Sequence, residues 1–109
     1  MAHIEISQTP KNEPFIRCVG KVKTDDEFLE FKEKIRPTIQ ALKNTNGDKT
    51  IFIFLIDSYP ISLPMIGYLL KLKENDGLDL KLYTNSIKLF GFFQTLELNE
   101  KIEISIKNL

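Results

Sequence analysis

IFIFLIDSYPISLPMIGYLLKLKENDG, residues 51–77, changes its pattern twice. Residues 51–56 are continuously apolar and dominated by β-branched and aromatic side chains, the composition of a central strand covered on both faces. Further on, Met65, Ile66, Leu69, Leu70 and Leu72 recur at helical spacing, until Asn75-Asp76-Gly77 ends the pattern. Between the two lie Asp57-Ser58, Ser62 and a pair of prolines, so the reading turns on where strand gives way to helix. Tyr59 precedes Pro60 and is held extended, which bars a helix from starting at Asp57. Ser62 is a good N-cap and Pro64 is tolerated in a first turn, so the helix entrance is expected at Ser62.

The rest of the chain falls into place around this unit. Upstream, HIEIS (residues 3–7) alternates as a half-buried strand does, and FIRCVGKV from Phe15 repeats the signal after QTPKNEP. These read as two antiparallel strands, with Pro10 and Pro14 flanking a polar hairpin tip. Thr24-Asp25-Asp26-Glu27 supplies a capping box, and Phe28, Phe31, Ile35, Ile39 and Leu42 then share one helical face. Pro37 inside that pattern predicts a kink or an early break, and KNTNGDK closes the helix with Asn and Gly residues that tolerate positive φ. Downstream, LDLKLYT alternates as a strand, Asn85-Ser86 caps a third helix reaching about Thr95, and KIEISIKNL alternates to the end. The order is ββαβαβαβ: an α/β fold, with a mixed sheet whose central portion is parallel and helices packed on it through right-handed crossovers. Residues 1–109 are expected to form one domain.

Composition excludes several classes of function. Fifteen Lys and Arg balance fifteen Asp and Glu, so no net field attracts a phosphate backbone or an anionic bilayer; nucleic acid is not an expected partner. No run approaches the roughly 18 apolar residues of a membrane span, and no leader pattern opens the chain, so a cytoplasmic protein without membrane insertion is expected. Cys18 is the only cysteine and stands in an apolar run as a small buried side chain. His3 is the only histidine, which leaves no His-based triad or His-rich metal site within one chain. Neither a Gly-rich phosphate loop nor a Cys-x-x-Cys pair is present. The carboxylate pairs Asp25-Asp26 and Glu97 with Glu103 belong to a helix start and to an exposed alternating face. No enzyme, cofactor or metal is expected.

The order of elements and three of its segments resemble the STAS domain family, the anti-sigma-factor-antagonist fold of bacteria. FIRCVGKVKTDDEFLEFKEKI looks like the family's second strand, its Gly-x-Leu-like turn at Gly20-Lys21-Val22, and its first helix. The 51–77 stretch looks like its central strand, switch loop and second helix, and SIKLFGFFQTLELNEKIEI looks like the last helix and final strand, with Glu97 where the family usually has glycine. The resemblance implies a STAS-like ββαβαβαβ fold and a regulatory or scaffolding role exerted through a protein partner, such as an anti-sigma factor or kinase-like regulator. The family's switch is an Asp-Ser-Ser-Gly motif at the start of the second helix. Ungapped alignment on Gly67-Tyr68-Leu69-Leu70 puts Ser62 at the Asp, Leu63 and Pro64 at the serines and Met65 at the glycine. Leucine cannot accept a phosphate, so the switch is expected to be lost. The alternatives are a displaced phosphoacceptor at Ser58 or Ser62, or an accessory subunit of a lipid-transporting ABC system.

The expected partner surface is Ser58, Tyr59, Pro60, Ser62, Leu63, Pro64 and Met65, with Met65 the leading contact because an unbranched thioether adapts to a partner. Ile61 and Leu63 can instead turn inward and close the core. In the third helix Phe90, Phe92 and Phe93 cannot all share one face, so at least one is expected to reach solvent, a second copy in a homodimer, or a lipid-like ligand.

Overall fold

The structure is a computed structural model that describes residues 2–108. Five strands lie side by side in the order β1-β2-β3-β4-β5: β1 His3–Gln8, β2 Pro14–Val19, β3 Thr50–Ile56, β4 Asp79–Thr84 and β5 Glu103–Ile106. β1 and β2 are antiparallel, with Ile4 opposite Cys18 and Ile6 opposite Ile16. Each later neighbour is parallel, so each step needs a crossover, supplied by α1 Asp25–Lys43, α2 Leu63–Glu74 and α3 Ile87–Thr95. A short 3-10 turn at Leu98–Glu100 links α3 to β5.

Side chains alternate across a strand, so the register sorts them onto two faces. Ile16, Cys18, Ile51, Ile53, Leu55, Leu80 and Leu82 share one face and one buried cluster with Phe31 and Ile35 of α1, Met65 and Leu69 of α2, and Leu89 and Phe93 of α3. All three helices therefore pack on the same side. Each such side chain contributes about 1.5–3 kcal/mol by leaving water.

The opposite face carries Phe15, Arg17, Phe52, Phe54, Lys81 and Tyr83, none of which joins that cluster. The expectation that β3 is covered on both faces holds for most of its length: on this side Thr50, Phe54 and Ile56 are buried and Phe52 is half-buried, although Phe54 and Ile56 stand outside the helix-packed cluster. Phe54 is only 4% exposed and meets Tyr83 edge-on at 6.3 Å, while beside it Phe15 stacks on Phe52 at 5.9 Å and Phe52 on Tyr83 at 6.0 Å.

The capping box is present. Thr24 Oγ1 accepts from the Glu27 amide at 3.1 Å, while the Glu27 carboxylate accepts from the amides of Thr24 at 2.9 Å and Lys23 at 3.0 Å. Those backbone donors hold the Glu27 carboxyl down at about 2. The far ends of α1 and α2 are tied by Asp76, whose carboxylate takes Lys43 at 3.5 Å and Lys71 at 3.2 Å. Between them Tyr68 lies edge-on to Phe28 at 5.7 Å, and burial pushes its phenol up to about 12.

Three local readings are corrected. Pro37 does not break α1, which continues to Lys43 with Ile35, Ile39 and Leu42 all buried. Pro37 and Glu33, whose carbonyl loses its helical donor, are both on the exposed side of α1, and packing on the other face offsets the roughly 3 kcal/mol cost. The end of α1 needs no positive φ: Asn44 caps it at φ −85°, and the left-handed residues are instead Asn12, Asp57 and Glu97, with Gly20 and Gly77. The final strand stops at Ile106, and Leu109 lies outside the described residues.

Candidate functional site

The connection from β3 to α2 lies at the carboxyl ends of three parallel strands. β3 ends as Asp57 turns to φ 52°, and the backbone is fastened on both sides. The Asp57 amide donates to Asn85 Oδ1 at 2.9 Å while Asn85 Nδ2 donates to Asp57 Oδ1 at 3.0 Å. On the other flank the Gly20 amide donates to the Ile56 carbonyl at 2.8 Å, and Gly20 stands at φ 113°, a backbone that favours glycine. Two residues on, Val22 pairs with Ile61 in an isolated parallel bridge, and its carbonyl accepts from the Ser62 amide at 2.8 Å. The Tyr59–Pro60 peptide bond within this connection is cis.

Ser62 is the N-cap. Its Oγ accepts from the Met65 amide at 3.2 Å, and Leu63 and Pro64 open the helix, as its sequence predicts. The first turn of α2 contains no acidic side chain.

The two serines have different surroundings. Ser58 is fully buried, its hydroxyl directed at the carbonyls of Ile56 at 3.2 Å and Cys18 at 3.4 Å. It presents nothing to solvent, which removes it from the surface expected of it both as a contact and as a phosphoacceptor. Ser62 is half-buried, with its oxygen engaged by the helix amide. Cys18, beneath Ser58, is also sealed: burial pushes its thiol up to about 12, against a smaller opposing effect from the Ser58 contact.

Met65 is likewise completely buried and joins the core, so it is no contact residue in this structure. Its spacing to Leu69 and Leu72 places it on the inner stripe of α2. Ile61 turns inward at 7% exposure whereas Leu63 turns outward at 67%, so the two residues divide between the competing readings. Pro60 is half-buried and Pro64 exposed. Tyr59 stands partly free and meets Phe92 edge-on at 6.3 Å.

The phenylalanines of α3 do not share one buried face, as expected, though none is fully exposed. Phe93 is fully buried, and Phe90 and Phe92 are half-buried. The apolar side chain that α3 exposes is Ile87, its first residue, at 80%. Ile87 follows the Ser86 cap and lies off the stripe formed by Leu89 and Phe93, a position legible from helical phase. Asn85 was expected only as part of a cap. Its bond to Asp57 joins residues 28 apart and leaves no local signal in the sequence.

The connection thus exposes Tyr59, Leu63 and Pro64 on a fastened backbone, at the same sheet end as Ile87. Among the described residues, no group of three or more His, Cys, Asp and Glu side chains is placed to hold a metal, and no helix is long and apolar enough to cross a membrane. No family model and no curated protein matches this chain.

Proposed function

We propose that this chain is a STAS-like, non-enzymatic interaction module of the cytoplasm that regulates or scaffolds a protein partner through the entrance of α2, without a phosphorylation switch. The observation that carries the reading is the helix start at Ser62, which leaves Leu63, 67% exposed, where the family's motif has a hydroxyl. A second feature supports the resemblance. Glu97, where the family usually has glycine, stands at φ 57°, a left-handed backbone that glycine adopts most easily. The contact surface is Tyr59, Leu63 and Pro64, extended by Ile87, and excludes the buried Ser58 and Met65. An apolar side chain at a helix entrance suits a partner that buries it, whereas a switch needs an acceptor open to a kinase.

The test is affinity capture from the native cell with the wild type and Leu63→Asp. An acid in the first turn of α2 is favourable to the helix, so the variant stays folded and any loss of partner reports on the surface. The partner is expected to be lost. Retention of every partner by Leu63→Asp, or stoichiometric phosphate on Ser62 of the captured protein, would overturn the proposal.

A further inference from the structure

The helix-free face of the sheet carries an order that the function proposed above does not use. Across the five strands, one row of facing residues reads Glu5, Arg17, Phe54, Tyr83, Ser105 from β1 to β5. The adjacent row, read in the opposite direction from β5 to β1, is Glu103, Lys81, Phe52, Phe15, Ser7. Both are acid, base, phenylalanine, second aromatic, serine. The face therefore has an approximate two-fold pattern about an axis through β3, although the chain has no internal repeat. The chemistry repeats as well: Arg17 pairs with Glu5 at 3.0 Å and Lys81 with Glu103 at 3.2 Å.

We infer that this face binds the same face of a second copy of the chain, forming a two-fold dimer with its sheets packed together. Closed homodimers use one patch twice, so the patch must complement itself. This one does. With the dimer axis along β3, Arg17 of one copy lies over Tyr83 of the other and Lys81 over Phe15, while the half-buried Phe52 meets its own counterpart. Each glutamate meets a serine, and no charge meets its like. With the axis across the strands, Arg17 meets Phe15, Lys81 meets Tyr83 and the glutamates again meet serines. Sheets packed face to face cross at about 30°, which displaces the outer strands most and leaves the positions around β3 in register.

Charge favours this occupant. Five strands about 4.8 Å apart and up to six residues at about 3.3 Å each give a projected area of at most roughly 480 Å² per copy, the size of a small, concentration-dependent contact. A nucleic acid tracks a row of cations beside the rings, but Arg17 and Lys81 are each paired within their own row, which leaves Lys107 at the rim, its ammonium 5.2 Å from the centre of the Tyr83 ring.

The experiment is sedimentation velocity of the full chain over a rising concentration series. Two paired exchanges are compared with the wild type: Glu5→Arg with Arg17→Glu, and Lys81→Glu with Glu103→Lys. Each keeps its ion pair within the chain but sets a carboxylate against a ring of the second copy. The wild type is expected to sediment with the mass of two chains, and each exchange to weaken association by about tenfold or more. If an exchange also lowers the melting temperature, Glu5→Gln with Arg17→Gln reads the same contact without charge. A wild type that stays monomeric throughout, exchanges that associate equally well, or a thymidine oligonucleotide bound by the monomer through these rings would overturn the inference.

Discussion

Placing an aspartate at Ser58 and, separately, at Ser62 distinguishes the two hydroxyls of the β3–α2 connection. Ser58 is fully buried with its oxygen near two carbonyl oxygens, at 3.2 and 3.4 Å. A carboxylate there faces acceptors and no donors, and an uncompensated buried charge costs about 3–5 kcal/mol. At roughly 4–8 °C per kcal/mol for a domain near this size, Ser58→Asp melts about 12–40 °C below the wild type. Ser58→Ala, which removes only a neutral hydrogen bond, is expected to lose about 1 kcal/mol. Ser62→Asp moves the other way. Aspartate caps as well as serine does, and its charge sits at a helix start that has no acid of its own, adding about 0.3–1 kcal/mol at neutral pH. Circular-dichroism melts of the three variants check this, and Ser58→Asp should recover on acidification as its carboxyl is neutralised. The reasoning is refuted if Ser58→Asp melts with the wild type, or if Ser62→Asp is the variant that unfolds.

Further outcomes follow from single groups. Glu27, held down at about 2 by backbone donors, contributes stability that is present above its unfolded pKa and is lost as pH falls through the folded value; Glu27→Gln should flatten the acid limb of stability between about pH 5 and 2 in urea titrations. Cys18, fully buried with its thiol pushed up to about 12, should resist alkylation by iodoacetamide at pH 8 until denaturant opens the core, and rapid labelling of the native protein would contradict its placement. Glu97 holds a left-handed backbone at φ 57°, so Glu97→Gly should melt at or a few degrees above the wild type while Glu97→Val melts below it.

Much of the architecture is written in short-range pattern. The apolar run at 51–56 lies in the middle strand, and Thr24, Ser62 and Ser86 each cap the helix expected of them, because capping joins residues three apart. What the sequence hid is nonlocal. The two-sided apolarity of β3 does foretell burial on both sides, but parity alone cannot say what lies against each: helices on one, and on the other the rings of Phe15 and Tyr83 beside Phe52. At the site, chemical character misled where phase would have served. The adaptable thioether of Met65 suggests a surface contact although its spacing to Leu69 and Leu72 puts it inside, and the exposed Ile87 stands beside more conspicuous phenylalanines. The left-handed turn at Asp57 has no glycine to announce it, since its amide and carboxylate are both engaged by Asn85 from the next strand's end.

That engagement has a mechanical meaning. Asn85 immediately precedes the Ser86 cap, and Asp57 begins the segment leading to the Ser62 cap, so one pair of hydrogen bonds yokes the starting points of two helices. A binding protein that gripped Leu63 could not draw its loop outward from Asp57 without loosening the root of the neighbouring helix. Strain applied at one mouth of the sheet is thereby felt at the other.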